Sequence, residues 1–166
     1  MKISLLAVSL LLLAGACAAQ RKLQPGDPAP DFTLSDAAGQ AHRLADYRGQ
    51  TVVLYFYPKD DTPGCTREAC NLRDNYAKLT DRGIVVLGVS YDDSASHRQF
   101  AEKYNLPFTL LADTEKKVAD LYGVKGALYA SRTTFVIGPD GKLVTVIDSV
   151  DTGAHAEQIL AALEKK

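Results

Sequence analysis

The chain has 166 residues, of which 46% are hydrophobic and 23% charged, enough apolar material for a single domain with a proper core. Lys and Arg number 19 against 20 Asp and Glu, with both signs interleaved, so no basic stripe indicates a nucleic-acid partner. The apolar fraction excludes a disordered chain, and three cysteines are too few for a disulfide scaffold.

The first residues have the three regions of a secretory signal peptide. A lysine at position 2 precedes the apolar run Ile3–Leu13, and small residues follow at positions 14–19. We therefore predict a cleaved signal over residues 1–19, export to the periplasm or cell envelope, and a folded domain over residues 23–166. Two A-x-A cleavage sites compete with a lipoprotein-type signal, in which Cys17 would carry a lipid anchor. A retained membrane helix is the further alternative, because the uncharged stretch is only slightly shorter than the ~20 residues that span a bilayer.

Short strands open the predicted domain. After a proline-stiffened entry at Gln24–Pro30, the segments 31–34 and 41–44 predict a small N-terminal hairpin. The near-continuous apolar runs Thr51–Tyr57 and Ile84–Ser90 predict strands that are buried on both faces.

One helix is predicted between these two buried strands. Apolar residues recur at helical steps of three and four from Cys65 to Leu79. Thr62 is a suitable N-cap, Pro63 suits the first helical position, and Gly83 closes the segment. Strand, helix and strand over this length form a βαβ unit, so the two strands should be parallel.

The remaining elements complete an α/β domain. A helix is predicted over Ser94–Tyr104, a strand over Phe108–Leu111 and a helix over Glu115–Tyr122, followed by a hairpin of Thr133–Ile137 with Leu143–Ile147 and a last helix over 153–166. This order predicts a thioredoxin-like fold, with a central mixed sheet flanked by helices and an N-terminal hairpin extension.

Cys65 is the residue whose position most strongly suggests chemistry. It follows the carboxyl end of a predicted parallel strand and lies in the first turn of the predicted helix, where open α/β sheets build their sites. The start of a helix favours a thiolate, but it typically contributes about 0.3–1 kcal/mol and at best about 2 kcal/mol. Holding a thiol largely ionised near neutral pH needs roughly 3.4 kcal/mol. A cation or strong hydrogen-bond donors from elsewhere in the chain must supply the rest.

The pattern Pro58-x-x-x-Thr62-x-x-Cys65 resembles the active-site signature of the peroxiredoxins. The longer run from 55 to 70 is similar to their Q subfamily, the bacterioferritin-comigratory-protein type, and the resemblance covers nearly the whole mature chain. It implies a thioredoxin-like fold and a thiol peroxidase that reduces hydrogen peroxide and alkyl hydroperoxides without metal or organic cofactor. It also implies a monomer that is recycled by a thioredoxin-like dithiol protein.

The same resemblance implies a role for each site residue. Cys65 is expected to be the peroxidatic cysteine and Cys70 the resolving cysteine, which forms an intramolecular disulfide with it. Thr62 would hydrogen-bond the peroxide, and Pro58 would shield the sulfur from water. Arg132, just before the strand that begins at 133, matches the active-site arginine of the family and would be the required cation.

The spacing of Cys65 and Cys70 has a mechanical consequence. On an intact helix, positions five apart are separated by about 7.5 Å along the axis and about 140° around it. A disulfide needs Cα atoms within about 7 Å and converging Cβ atoms. We therefore expect the first turns of the helix to unwind whenever the two cysteines pair.

Other polar residues have plainer interpretations. His42, His97 and His155 are scattered without ligand spacing, so we predict solvated histidines and no metal site. Glu68 is expected to be an exposed helix charge, with the alternative that it orients Arg132 or helps to hold the pocket.

Two rival functions remain open on the sequence. A thiol–disulfide oxidoreductase acting on proteins is the rival enzyme, although the Cys-x-x-Cys motif of that class is absent. A non-catalytic redox sensor or partner-binding lipoprotein is the rival outside catalysis. Steady-state consumption of peroxide distinguishes both from a peroxidase.

Overall fold

The computed structural model describes residues 21–164, and the predicted signal peptide with Cys17 lies outside this range. The strands are β1 (Thr33–Asp36), β2 (Ala41–Arg43), β3 (Thr51–Phe56), β4 (Ile84–Ser90), β5 (Thr109–Ala112), β6 (Thr133–Ile137) and β7 (Leu143–Ile147). The helices are α1 (Pro63–Asp74), α2 (Tyr76–Thr80), α3 (Ser94–Tyr104), α4 (Lys117–Leu121) and α5 (His155–Glu164), with a 3-10 helix at Leu44–Tyr47. Within the described range, no helix has the length and apolar character needed to cross a bilayer.

The strands form one mixed seven-stranded sheet in the order β2-β1-β5-β4-β3-β6-β7. As predicted for a βαβ unit, β3 is parallel to β4, and β4 is also parallel to β5. The N-terminal hairpin β1–β2 and the later hairpin β6–β7 add antiparallel strands at the two edges. The predicted thioredoxin-like α/β fold is confirmed.

The central strand β3 contributes side chains to cores on both faces of the sheet. Leu54 and Phe56 belong to one core cluster, which α4 covers. Val53 and Tyr55 alternate with them and belong to the other cluster, together with side chains of α1, α2, α3 and α5. Cys65 belongs to this second cluster, so the candidate nucleophile lies between the sheet and its larger helical layer.

Gly88 of β4 makes room for one large side chain of this second core. It lies opposite Tyr55 of β3, and a Cβ atom at Gly88 would come within 2.7 Å of the Tyr55 ring carbon Cζ. Real Cβ atoms are essentially never this close to other atoms. Glycine therefore allows the Tyr55 ring to pack edge-on against His155, with ring centroids 5.9 Å apart.

The prediction of one continuous helix after β3 was wrong. Asn75 separates α1 from α2, with backbone angles of φ −105° and ψ 9°. Its side-chain amide donates to the carbonyl of Asn71 at 3.0 Å, which is the kind of local bond by which asparagine ends a helix. Because α2 resumes the same apolar face, Leu72 and Leu79 are both fully buried. Helices α4 and α5 each begin two residues later than predicted.

Candidate active site

Cys65 lies in the first turn of α1, just beyond the carboxyl end of β3, as predicted. Thr62 precedes the helix in an extended conformation, and Pro63 occupies the first turn. Backbone N–H groups in a first turn have no acceptor within the helix, so they point partial positive charge towards this sulfur. Cys65 is only 2% exposed, so a small peroxide can be accommodated more easily than a bulky thiol.

Arg132 is the cation that the sequence argument required. Its Nη2 donates to Sγ of Cys65 at 3.3 Å, and its Nη1 donates to Oε2 of Glu68. Partial burial lowers the pKa of Arg132, but the Glu68 carboxylate and the Cys65 sulfur raise it more, so this pKa lies above its ordinary value. The guanidinium is therefore permanently charged and is shared between the sulfur and a carboxylate.

Glu68 and His155 are buried, not exposed as predicted. Both side chains are 0% exposed, and Nδ1 of His155 lies 3.1 Å from Oε1 of Glu68. On its other side, Nε2 of His155 lies 2.9 Å from the Thr134 hydroxyl, which is also buried. Burying a carboxylate is costly unless it is paired, and Arg132 provides that pairing, with Nδ1 of His155 close to the other oxygen. The alternative role of Glu68, contact with Arg132, is the one that the structure contains.

Thr62 precedes α1 but does not cap it with its side chain. The Thr62 hydroxyl donates to the Lys59 carbonyl at 2.9 Å, so the predicted cap hydrogen bond is absent. Its oxygen can still accept a hydrogen bond from an incoming peroxide. Pro58, the other predicted residue of this segment, lies two positions after the end of β3 and is half-buried.

A buried cluster fixes the segment between β3 and α1. The Asp60 carboxylate accepts hydrogen bonds from Tyr57 at 2.6 Å and Ser96 at 2.7 Å, and lies 2.8 Å from Nδ1 of His97. Burial raises the pKa of Asp60, but these partners outweigh it and hold the pKa below its usual 3.8. His97 is 0% exposed, which corrects the prediction of a solvated histidine.

His42 is the third histidine predicted to be solvated, and it too is paired. Its Nδ1 lies 2.6 Å from the Tyr47 hydroxyl and its Nε2 3.0 Å from the Asp36 carboxylate, and its side chain is 17% exposed. Within residues 21–164, no three His, Cys, Asp or Glu side chains are grouped so that they could hold a metal ion.

Cys70 lies on the same helix as Cys65, and both thiols are free. Cys70 is more exposed than Cys65, and it interacts with Arg73, whose pKa is raised first by Asp74 and also by the Cys70 sulfur. Since α1 is continuous from Pro63 to Asp74, the two cysteines are held at the separation that prevents pairing.

Comparisons with known proteins show the family and the fold to which the chain is similar. The model of the AhpC/TSA family matches residues 25–146. The chain is 44% identical over 149 residues to the putative peroxiredoxin bcp of Coxiella burnetii. The aligned region covers 85% of this chain and 99% of that protein. The crystal structure of peroxidoxin BcpB from Mycobacterium tuberculosis matches with a TM-score of 0.81 and 37% identity, over 86% of this chain and 97% of that one. Structures of the Xanthomonas campestris bacterioferritin comigratory protein, which concern its alkyl peroxide reduction, match with a TM-score of 0.76 and 32% identity, over 81% and 90% of the two chains.

Proposed function

The chain belongs to the AhpC/TSA family, within its peroxiredoxin Q/Bcp group, and from this premise we propose how its two cysteines reduce peroxides. The protein is a thiol peroxidase with a thioredoxin-like fold. We propose Cys65 as the peroxidatic cysteine and Cys70 as the resolving one. The observation that carries this proposal is the contact of 3.3 Å between Nη2 of Arg132 and Sγ of Cys65, at the start of α1.

In the first step, the Cys65 thiolate attacks one oxygen of a hydroperoxide. The O–O bond breaks, and the other oxygen leaves as water or an alcohol after it takes up a proton. Arg132 and the N–H groups at the start of α1 stabilise the charge that develops on the leaving oxygen. Thr62 accepts a hydrogen bond from the peroxide, and Pro58 limits the access of water. Cys65 is then a sulfenic acid.

In the second step, Cys70 attacks the sulfur of the Cys65 sulfenic acid, and water leaves as the disulfide forms. Cys65 is 2% exposed and both residues lie within α1, so the first turns of this helix must unwind. The same unwinding exposes the disulfide to a reductant that is too large for the folded site.

We propose a thioredoxin-like dithiol protein as that reductant and hydrogen peroxide and alkyl hydroperoxides as the substrates. One thiol of the dithiol attacks the Cys65–Cys70 disulfide and forms a mixed disulfide. Its second thiol then displaces the remaining cysteine, so both cysteines are reduced and the dithiol is oxidised to a disulfide. Both sulfurs of this cycle belong to one helix of one chain, which supports action as a monomer.

We also propose that the protein is exported through the signal predicted over residues 1–19. The basic residue, apolar run and small residues of this segment support the proposal. Mass spectrometry of the protein from cell envelopes is expected to find a chain cleaved within this segment, or a chain that begins at an acylated Cys17. An uncleaved chain in the cytoplasm would contradict export.

Peroxide consumption coupled to thioredoxin and its reductase tests the enzymatic proposal. We expect steady turnover by the wild-type protein and none by Cys65→Ser. Loss of turnover through poor folding is controlled by circular dichroism of the same samples. Normal turnover by folded Cys65→Ser would show that the nucleophile is misassigned.

A further inference from the structure

We propose that His155, the first residue of α5, is a positioning residue for peroxide reduction that acts through Glu68 on Arg132. The proposal rests on the function proposed above for Cys65 and Arg132. His155 does not contact the sulfur itself. Its role is to hold the carboxylate that holds the guanidinium.

The Glu68 carboxylate has a different partner for each oxygen. Oε2 accepts from Nη1 of Arg132, and Oε1 lies 3.1 Å from Nδ1 of His155. The distance is short, but the alignment is poor for a hydrogen bond, and neither atom has another hydrogen-bond partner among the described residues. Because both atoms are fully buried, their mutual approach is the contact that can offset the loss of water.

The His155 ring is held in place by side chains of two strands, β6 and β3. Its Nε2 lies 2.9 Å from the hydroxyl of Thr134, and Tyr55 packs edge-on against it. Thr134 belongs to β6, the strand that begins directly after Arg132. The imidazole thus contacts both Glu68, whose carboxylate binds the Arg132 guanidinium, and β6, the strand that follows Arg132 in sequence.

The proton arrangement follows from these contacts. With a proton on Nδ1, His155 donates to Glu68, and Nε2 accepts from the Thr134 hydroxyl in the neutral ring or carries a second proton in the charged one. The ionisable groups that contact the ring are Glu68 from α1 and Tyr55 from β3, and Arg132 lies beyond Glu68. Whether the His155 ring is neutral or charged, Glu68 accepts the hydrogen bond from Nδ1.

Loss of the His155 donor changes how Arg132 is shared. Oε1 of Glu68 would then be a buried acceptor without a donor, a costly arrangement. Glu68 can relieve it by turning further towards Arg132 or by taking up a proton. Turning draws Nη2 away from Cys65, and a protonated Glu68 no longer fixes the position of the guanidinium. In both cases Arg132 is less well aligned on the sulfur and the leaving oxygen.

Three variants test this chain of contacts. His155→Leu removes the donor, and His155→Asn keeps an N–H near the Nδ1 position. Ile159→Val loosens the same helix at a fully buried site without removing a polar group. We expect His155→Leu to slow the oxidation of Cys65 by hydrogen peroxide about tenfold or more, because a charge-assisted contact is misplaced. The pH midpoint for alkylation of Cys65 by iodoacetamide should also move to higher pH. His155→Asn should stay within about threefold of the wild-type rate, and Ile159→Val should match it.

Equal rates in His155→Leu and the wild type would overturn the proposal, as would equal losses in the Leu and Asn variants. Nitrogen NMR of the His155 ring in the wild-type protein is a test that needs no variant. We expect a protonated Nδ1, and a ring with a bare Nδ1 and a protonated Nε2 would contradict donation to Glu68. If wild-type Cys65 itself failed to react with peroxide, the proposed function would fail, whereas the NMR result would still decide the role of His155.

Discussion

Replacement of Arg132 by methionine is expected to affect catalysis and stability through two different contacts. In the wild type, Nη2 donates to Sγ of Cys65 at 3.3 Å and Nη1 donates to the fully buried Glu68. Methionine retains much of the apolar volume of the side chain but has no donor. The variant therefore removes charge from the sulfur and from the carboxylate at once.

The two losses have separate magnitudes. A hydrogen bond to a charged group contributes about 1.5–3 kcal/mol, which corresponds to a decrease of about 10- to 150-fold in the rate of Cys65 oxidation. Removing one partner of a buried ion pair costs about 3–5 kcal/mol of unfolding free energy, because Glu68 keeps only His155 as a partner.

A second substitution distinguishes the two contacts. In Arg132→Met with Glu68→Gln, no carboxylate is left unpaired, so most of the lost stability should return while oxidation remains slow. Glu68→Gln alone is the matched control. Rates are measured by quenched flow and mass spectrometry, since the chain has no tryptophan to report the reaction, and stability by urea unfolding. A double variant that oxidises at the wild-type rate would refute the reasoning, because Arg132 would then serve only to neutralise Glu68.

Cys70→Ser should consume one equivalent of peroxide and then stop, and at higher peroxide concentration Cys65 should be oxidised further to sulfinic acid. Sustained thioredoxin-dependent turnover by this variant, with its mass verified by mass spectrometry, would contradict a resolving role for Cys70. Asp60→Asn should make the free energy of unfolding depend less steeply on pH in acid. The folded pKa of Asp60 lies below 3.8, so its contribution is present above about pH 4 and is lost as pH falls through the lowered pKa. Unfolding midpoints between about pH 5 and pH 2 measure this, and an unchanged slope would argue against it. Gly88→Ala should destabilise the fold by about 1–3 kcal/mol through overpacking against Tyr55, a loss that thermal melting would reveal.

The strands and the position of Cys65 could be predicted because their signals are local. The apolar runs of β3 and β4 and the turn of the β6–β7 hairpin are contained in neighbouring residues, and β4, β6 and β7 have the predicted bounds. The contact of Cys65 with Arg132 was expected from the resemblance to a family, since no local pattern links two residues so far apart in sequence.

The buried polar groups could not be predicted from local sequence. Glu68 has the pattern of an exposed helix residue, and its burial depends on Arg132, 64 positions later, and on His155 in the last helix. His97 is likewise buried through Asp60, 37 positions earlier. A histidine with ordinary neighbours in sequence gives no sign that a distant carboxylate will pair with it. The division of α1 from α2 was missed because the apolar spacing continues across Asn75.

Peptide-resolved mass spectrometry after one equivalent of hydrogen peroxide tests the central claim most directly. The reduced protein should lose two hydrogens, and the fragment spanning α1 should carry a disulfide between Cys65 and Cys70 within one chain. Peroxide consumed while Cys65 remains a free thiol, or a disulfide that joins two chains, would contradict the account.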